Sequence, residues 1–108
     1  MDKKYPYMKL CRELTKYRNN HEKEMSNGQT QADIARLGVI EVVKEYTTYI
    51  ESELESREQY EVPVFYYELF RKVKRDIART DAKDYGRITA LIYIRTLIRD
   101  KKDNLTDR

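Results

Sequence analysis

One cysteine, Cys11, and one histidine, His21, are the side chains of this chain best suited to nucleophilic or metal chemistry. A Cys–His nucleophile needs its two members within hydrogen-bond reach. Here they stand ten residues apart in a run that reads as a single helix. That separates them by about 15 Å along the helix axis, so they cannot pair. One Cys and one His also fall short of the ligand sets that hold structural zinc. Neither a Gly-rich phosphate loop nor a dinucleotide-binding fingerprint is present. His21 lies in the polar stretch Asn19-Asn20-His21-Glu22-Lys23 and is expected to be solvated. Cys11 falls beside Leu10 and Leu14 on an apolar face, where a small buried thiol is expected to be inert. No set of nucleophile, base and oxyanion donor can be assembled. The chain therefore reads as non-enzymatic, with no cofactor and no metal.

The elements that would carry these residues are helices. Pro6 suits a first helical turn. The spacing of Tyr7, Leu10, Cys11, Leu14 and Tyr17 predicts a helix over about 6–23, with Lys9 and Glu13 paired four residues apart on another face. The turn dipeptide Asn27-Gly28 places a loop over Met25–Gln29. Thr30 and Asp33 form a capping-box variant opening a second helix, about 30–57. Val39, Val42, Val43, Tyr46, Tyr49, Ile50 and Leu54 occupy one half of its wheel. Ile34 and Leu37 fall outside that stripe. Either the helix kinks or breaks near Gly38, or its first turns bury against something else. Pro63 opens a third helix, about 63–79, and Asp81 is the expected cap of a fourth, about 82–100. That last helix is apolar nearly all round, so it should lie centrally or face both core and partner. The tail, 101–108, is polar and expected to fray.

The fold class expected is all-α: a four-helix, largely antiparallel bundle forming a single domain. Its core should draw on Leu10, Leu14, Val39, Val43, Tyr46, Ile50, Leu54, Tyr66, Leu69, Val73, Ile77, Ile88, Leu91, Ile92 and Ile98. The 108 residues, 38% charged and 40% hydrophobic, suit one core. No apolar run is long enough to span a bilayer, and none follows the first lysines as a signal-peptide core would. With a lone cysteine, the expected setting is cytoplasmic.

Charge is segmental. Residues 1–24 carry +3, residues 25–61 carry −5 and residues 62–108 carry +5. Acids crowd the end of helix 2, where they oppose the helix dipole. Lys3, Lys4, Arg99, Lys101 and Lys102 are expected nearby to offset them. On helix 3, Arg71, Lys72, Arg75 and Arg79 form a basic stripe opposite the core face, a candidate nucleic-acid contact. Ten tyrosines against two phenylalanines point instead to protein interfaces. Adjacent Tyr66 and Tyr67 cannot both face one core. Ile34, Leu37, Tyr67, Tyr93, Ile94 and Leu97 are the candidate partner surface, left over once one bundle is filled.

Thr30-Gln31-Ala32-Asp33-Ile34-Ala35-Arg36-Leu37-Gly38-Val39 has residue types that resemble the opening of a helix-turn-helix. Ala35 and Gly38 stand one residue too close for that motif, and Glu41 and Glu45 would face phosphates. The run is read as a capped helix start. The expected function is a small regulatory or adaptor protein acting by protein–protein binding, as a homodimer and with an unidentified protein. A nucleic-acid-binding module using helix 3 is the alternative.

Overall fold

The computed structural model describes residues 2–25 and 30–107. The described residues contain helices and no strand. They are α1 (Tyr5–Lys23), α2 (Gln31–Ser56), a 3-10 turn at Gln59–Glu61, α3 (Val62–Arg79), α4 (Tyr85–Asp100) and the short α5 (Lys102–Leu105). Most of the loop expected around Asn27-Gly28 lies outside the described residues. Pro6 and Pro63 sit in the first turns of α1 and α3. There a missing N–H removes no intrahelical bond. The Thr30 hydroxyl accepts the Asp33 amide at 3.1 Å, and Asp33 is buried in the first turn of α2.

Consecutive helices run antiparallel. Asp2 and Lys3 at the start of α1 bond Gln59 just past the end of α2, while Arg36 near the start of α2 meets His21 and Glu24. Tyr46 of α2 bonds Asp76 of α3, and Tyr49 packs on Phe65. Glu13 of α1 pairs with Lys101 past the end of α4, and Tyr17 stacks on Tyr93. The two parallel helices, α2 and α4, form the central pair, with α1 against α2 and α3 against α4.

Glycine makes that central contact close. A Cβ on Gly86 would lie 2.0 Å from the Ala35 carbonyl oxygen, and one on Gly38 would lie 3.1 Å from the Arg87 nitrogen. The backbones of α2 and α4 touch here, and only residues without a side chain allow it. Gly38 is thus explained by α4, and α2 runs unbroken through it. The helix-turn-helix reading falls with the break. Ile34 and Leu37 are out of phase because they stand outside the core and exposed.

Three further expectations need correction. Asp81 does not cap α4. Its carboxylate accepts the Lys83 amide in a turn, and Asp84 caps the helix by accepting the Arg87 amide. The helix consequently starts three residues later than expected. The tail does not fray: α5 folds back across α1 and α3 and buries Leu105 almost completely. One apolar residue in a polar stretch is enough to seat it, with Lys101 tied to Glu13. The face of α4 is also turned. Ala90, Leu91, Ile94 and Ile98 are its buried residues, so Ile94 is core and not partner surface, whereas Ile92 is 41% exposed. Gly86, Ala90 and Ile94, spaced by four, form the row that faces α2.

All the buried apolar residues except Ile40 form one cluster drawn from all five helices. It contains most of the expected core, with Ile77 and Ile88 only partly buried. Tyr7, Val42, Val62, Phe65, Ala90, Ile94 and Leu105 join it. Phe65 and Tyr7 come from diagonally opposite helices and meet at 5.4 Å between ring centroids.

Candidate interaction surfaces

The two side chains with potential for chemistry are both occupied with packing. Cys11 is buried, and burial, reinforced by the Glu51 carboxylate, pushes its thiol up to about 12. A thiol held protonated is a poor nucleophile. His21 is less solvated than expected. Its ring meets Tyr17 edge-on at 4.7 Å, and its Nδ1 lies 3.3 Å from a guanidinium nitrogen of Arg36. Burial, and then the Arg36 charge, lower its pKa below the usual value. Neutral His21 therefore acts as an acceptor at the α1–α2 junction. Among the described residues no three His, Cys, Asp or Glu side chains converge as a metal site would require.

The expected partner surface divides. Tyr93 is covered by the Tyr17 ring, 4.0 Å away and nearly parallel, and Leu97 packs against the core. Ile94 is fully buried. The structure therefore leaves Ile34 and Leu37, 60% and 41% exposed, at the end of the bundle where α2 begins. Tyr85, 75% exposed at the start of α4, joins them: it lines the same shallow hollow as Ile34. Nothing in the periodicity singled out Tyr85, but its place beside Gly86, opposite Ala35, puts it there. Tyr67 stands at the other end, half exposed and edge-on to buried Tyr66. The two adjacent tyrosines do not share the core, since Tyr66 is buried and Tyr67 lies against its ring at the surface.

The basic stripe of α3 is reduced by one. Lys72 turns inward over the rings of Tyr46 and Tyr49 and pairs with Asp76 at 3.0 Å. The Tyr46 hydroxyl donates to the same carboxylate at 2.5 Å. Burial alone would raise the pKa of Asp76, but the bonds from Tyr46 and Lys72 outweigh it and hold the carboxyl below its usual range. Arg71, Arg75 and Arg79 remain exposed on the outer face of α3, with Arg79 at the edge of a small hollow shared with Arg87. No carboxylate of the described residues forms an ion pair with them.

The offset expected for the acids at the end of α2 comes from another residue. Arg57, directly after the helix, reaches back to Glu53 and across to Glu68. Lys101 is engaged by Glu13, which also takes Glu13 away from the expected Lys9 pair.

A surface the sequence did not reveal runs along α1. An open groove of about 600 Å³ lies between its outer face and the end of α2. Met8, Cys11 and Leu54 supply its apolar floor, and Arg12, Lys16 and Lys23 its cationic rim. In sequence, Met8, Arg12, Thr15 and Asn19 repeat at helical spacing and look like a solvated face. Only the position of Leu54 across the gap makes that face concave.

No family model matches this chain, and neither a curated protein nor a solved structure does.

Proposed function

We propose that this chain is a non-enzymatic regulatory or adaptor protein that works by protein–protein contact and self-associates as a homodimer. The observation that supports it is the cluster of Ile34, Leu37 and Tyr85, large apolar side chains exposed together at one end of the bundle. Burying them against a second copy removes apolar area from water, and a two-fold contact uses the same patch on both subunits. The interface expected around Tyr93 and Leu97 moves to this end, because Tyr17 of α1 stacks on Tyr93 and Leu97 packs partly buried against the core.

Sedimentation equilibrium tests this reading. Wild type should dimerise at micromolar concentration. Ile34→Glu with Leu37→Glu should yield a folded monomer, since both side chains stand outside the core. A wild type that stays monomeric at high concentration contradicts self-association. The nucleic-acid alternative rests on Arg71, Arg75 and Arg79, which are exposed and form no ion pair with a carboxylate of the described residues. Under it, binding to a duplex at low salt should weaken as salt rises, with a log–log slope of about 0.9 per phosphate contact. Arg71→Ala with Arg75→Ala should flatten that slope.

A further inference from the structure

We infer that the groove along α1 is a docking site for an acidic amphipathic helix of a partner protein. This rests on the protein-binding reading but uses a different surface from the self-association patch. The groove lining extends from Met8 to Lys23. At 1.5 Å per residue that is about 22 Å, room for roughly four turns of a partner helix. Helix-in-groove recognition needs an apolar floor for residues spaced by three and four. Met8, Cys11 and Leu54 provide that floor between the two helices.

The rim sets the partner's charge. Arg12 and Lys16 stand a turn apart on the α1 wall, and Lys23 closes its far end. Within the structure, no described carboxylate pairs with any of the three. A partner carrying Glu or Asp beside its apolar stripe would neutralise all three while burying the floor. Charge complementarity of this kind selects the partner and speeds encounter. Glu51 stands on the opposite wall, near Cys11 and Leu54. Its carboxylate repels phosphate, and the lining contains no aromatic side chain on which a base could stack. The occupant is therefore a peptide helix and not a nucleic acid strand.

The test uses the full chain and a fluorescein-labelled 16-residue helical peptide, with leucines at three-four spacing and glutamates beside them. Fluorescence anisotropy should show saturable binding that weakens at least tenfold between about 0.05 and 0.5 M salt, as screening shortens. Arg12→Glu with Lys16→Glu should weaken it at least tenfold. The milder Lys16→Gln should weaken it by a measurable factor, and serves if the double variant fails to fold. Arg71→Glu with Arg75→Glu on α3 should leave affinity within twofold. The Ile34→Glu, Leu37→Glu variant should still bind, which separates failure of the groove from failure of self-association. Absence of saturable binding overturns the proposal. So does equal binding of a scrambled peptide of the same composition, which would mean charge attraction without a groove. So does a 12-nucleotide single strand that binds more tightly and is lost through the same α1 variants.

Discussion

The centre and the flanks of this molecule use their residues in opposite ways. In the centre, α2 and α4 meet through Gly38, Gly86 and Ala35, where backbone lies against backbone and no side chain fits. On the flanks, α1 and α3 send aromatic rings inward, Tyr7 from one and Phe65 and Tyr66 from the other, and hold most of their long cations outward. The centre has no room to vary without loss of the fold. The outer faces of α1 and α3 carry charge that packing does not need. The two flanks also differ from each other: α1 sets its cations around a concave apolar floor, while α3 sets Arg71 and Arg75 on an exposed face outside the hollows described. Similar charge on different shapes suits different partners.

The sharpest way to break that contrast is at its centre. Gly86→Ala should destabilise by about 3 kcal/mol or more, since the new Cβ meets a backbone carbonyl that cannot turn aside. The roughly 1 kcal/mol gained in helix propensity is too small to offset it. Gly38→Ala should cost less, because its closest contact is longer at 3.1 Å. Chemical denaturation measures both, and a more stable Gly86→Ala variant would refute the close contact.

Leu105→Ala comes next. Its nearly complete burial predicts a loss of about 2–4 kcal/mol. A frayed tail would lose nothing. Thermal melting distinguishes the two.

Two buried tyrosines sharpen the comparison between the contacts of each flank: Tyr46 of α2, bonded to Asp76 of α3, and Tyr7 of α1. Tyr46→Phe removes the donor to Asp76 and should cost about 1–2 kcal/mol. Tyr7→Phe should cost less than Tyr46→Phe. The Tyr7 hydroxyl is enclosed and faces only the Tyr66 backbone, with no hydrogen bond of good geometry, so its removal forfeits little. Equal losses in the two variants would contradict this assignment.

The smallest effect is set by pH. The folded pKa of His21 lies below its unfolded value through burial and Arg36. Neutral His21 therefore contributes stability above the unfolded pKa, near 6.5, and that contribution disappears as pH falls through 6.5 toward the folded value. Wild type should lose more melting temperature between about pH 7.5 and 5.5 than His21→Asn does. Equal losses would remove His21 from the α1–α2 junction.

Much of the fold was legible because local signals agreed. Pro6, Thr30 and Pro63 marked helix starts, and clean apolar stripes faced α1, α2 and α3 inward. The signals failed on α4, whose apolar residues go nearly all round, so periodicity could not choose between Ile92 and Ile94. The small residues could have chosen: Gly86 and Ala90 mark the side a neighbouring backbone approaches, and Ile94 continues that row. Leu105 was hidden by its polar neighbours. Of the candidate surface, Ile34 and Leu37 were legible as phase errors in α2. The α1 groove was not, because concavity arises between two helices and neither sequence segment carries it alone.

On the reading proposed above, the fold rests on the α2–α4 pair and partner recognition on the outer face of α1. One variant tests both halves at once: Arg12→Glu with Lys16→Glu, measured for melting temperature and for affinity toward the acidic amphipathic peptide. The melting temperature should stay within about 2 °C of wild type, since surface substitutions away from packing change stability by no more than about 0.5 kcal/mol. Peptide affinity should fall at least tenfold in the same variant. A variant that melts far earlier, or one that binds the peptide as wild type does, would contradict that reading.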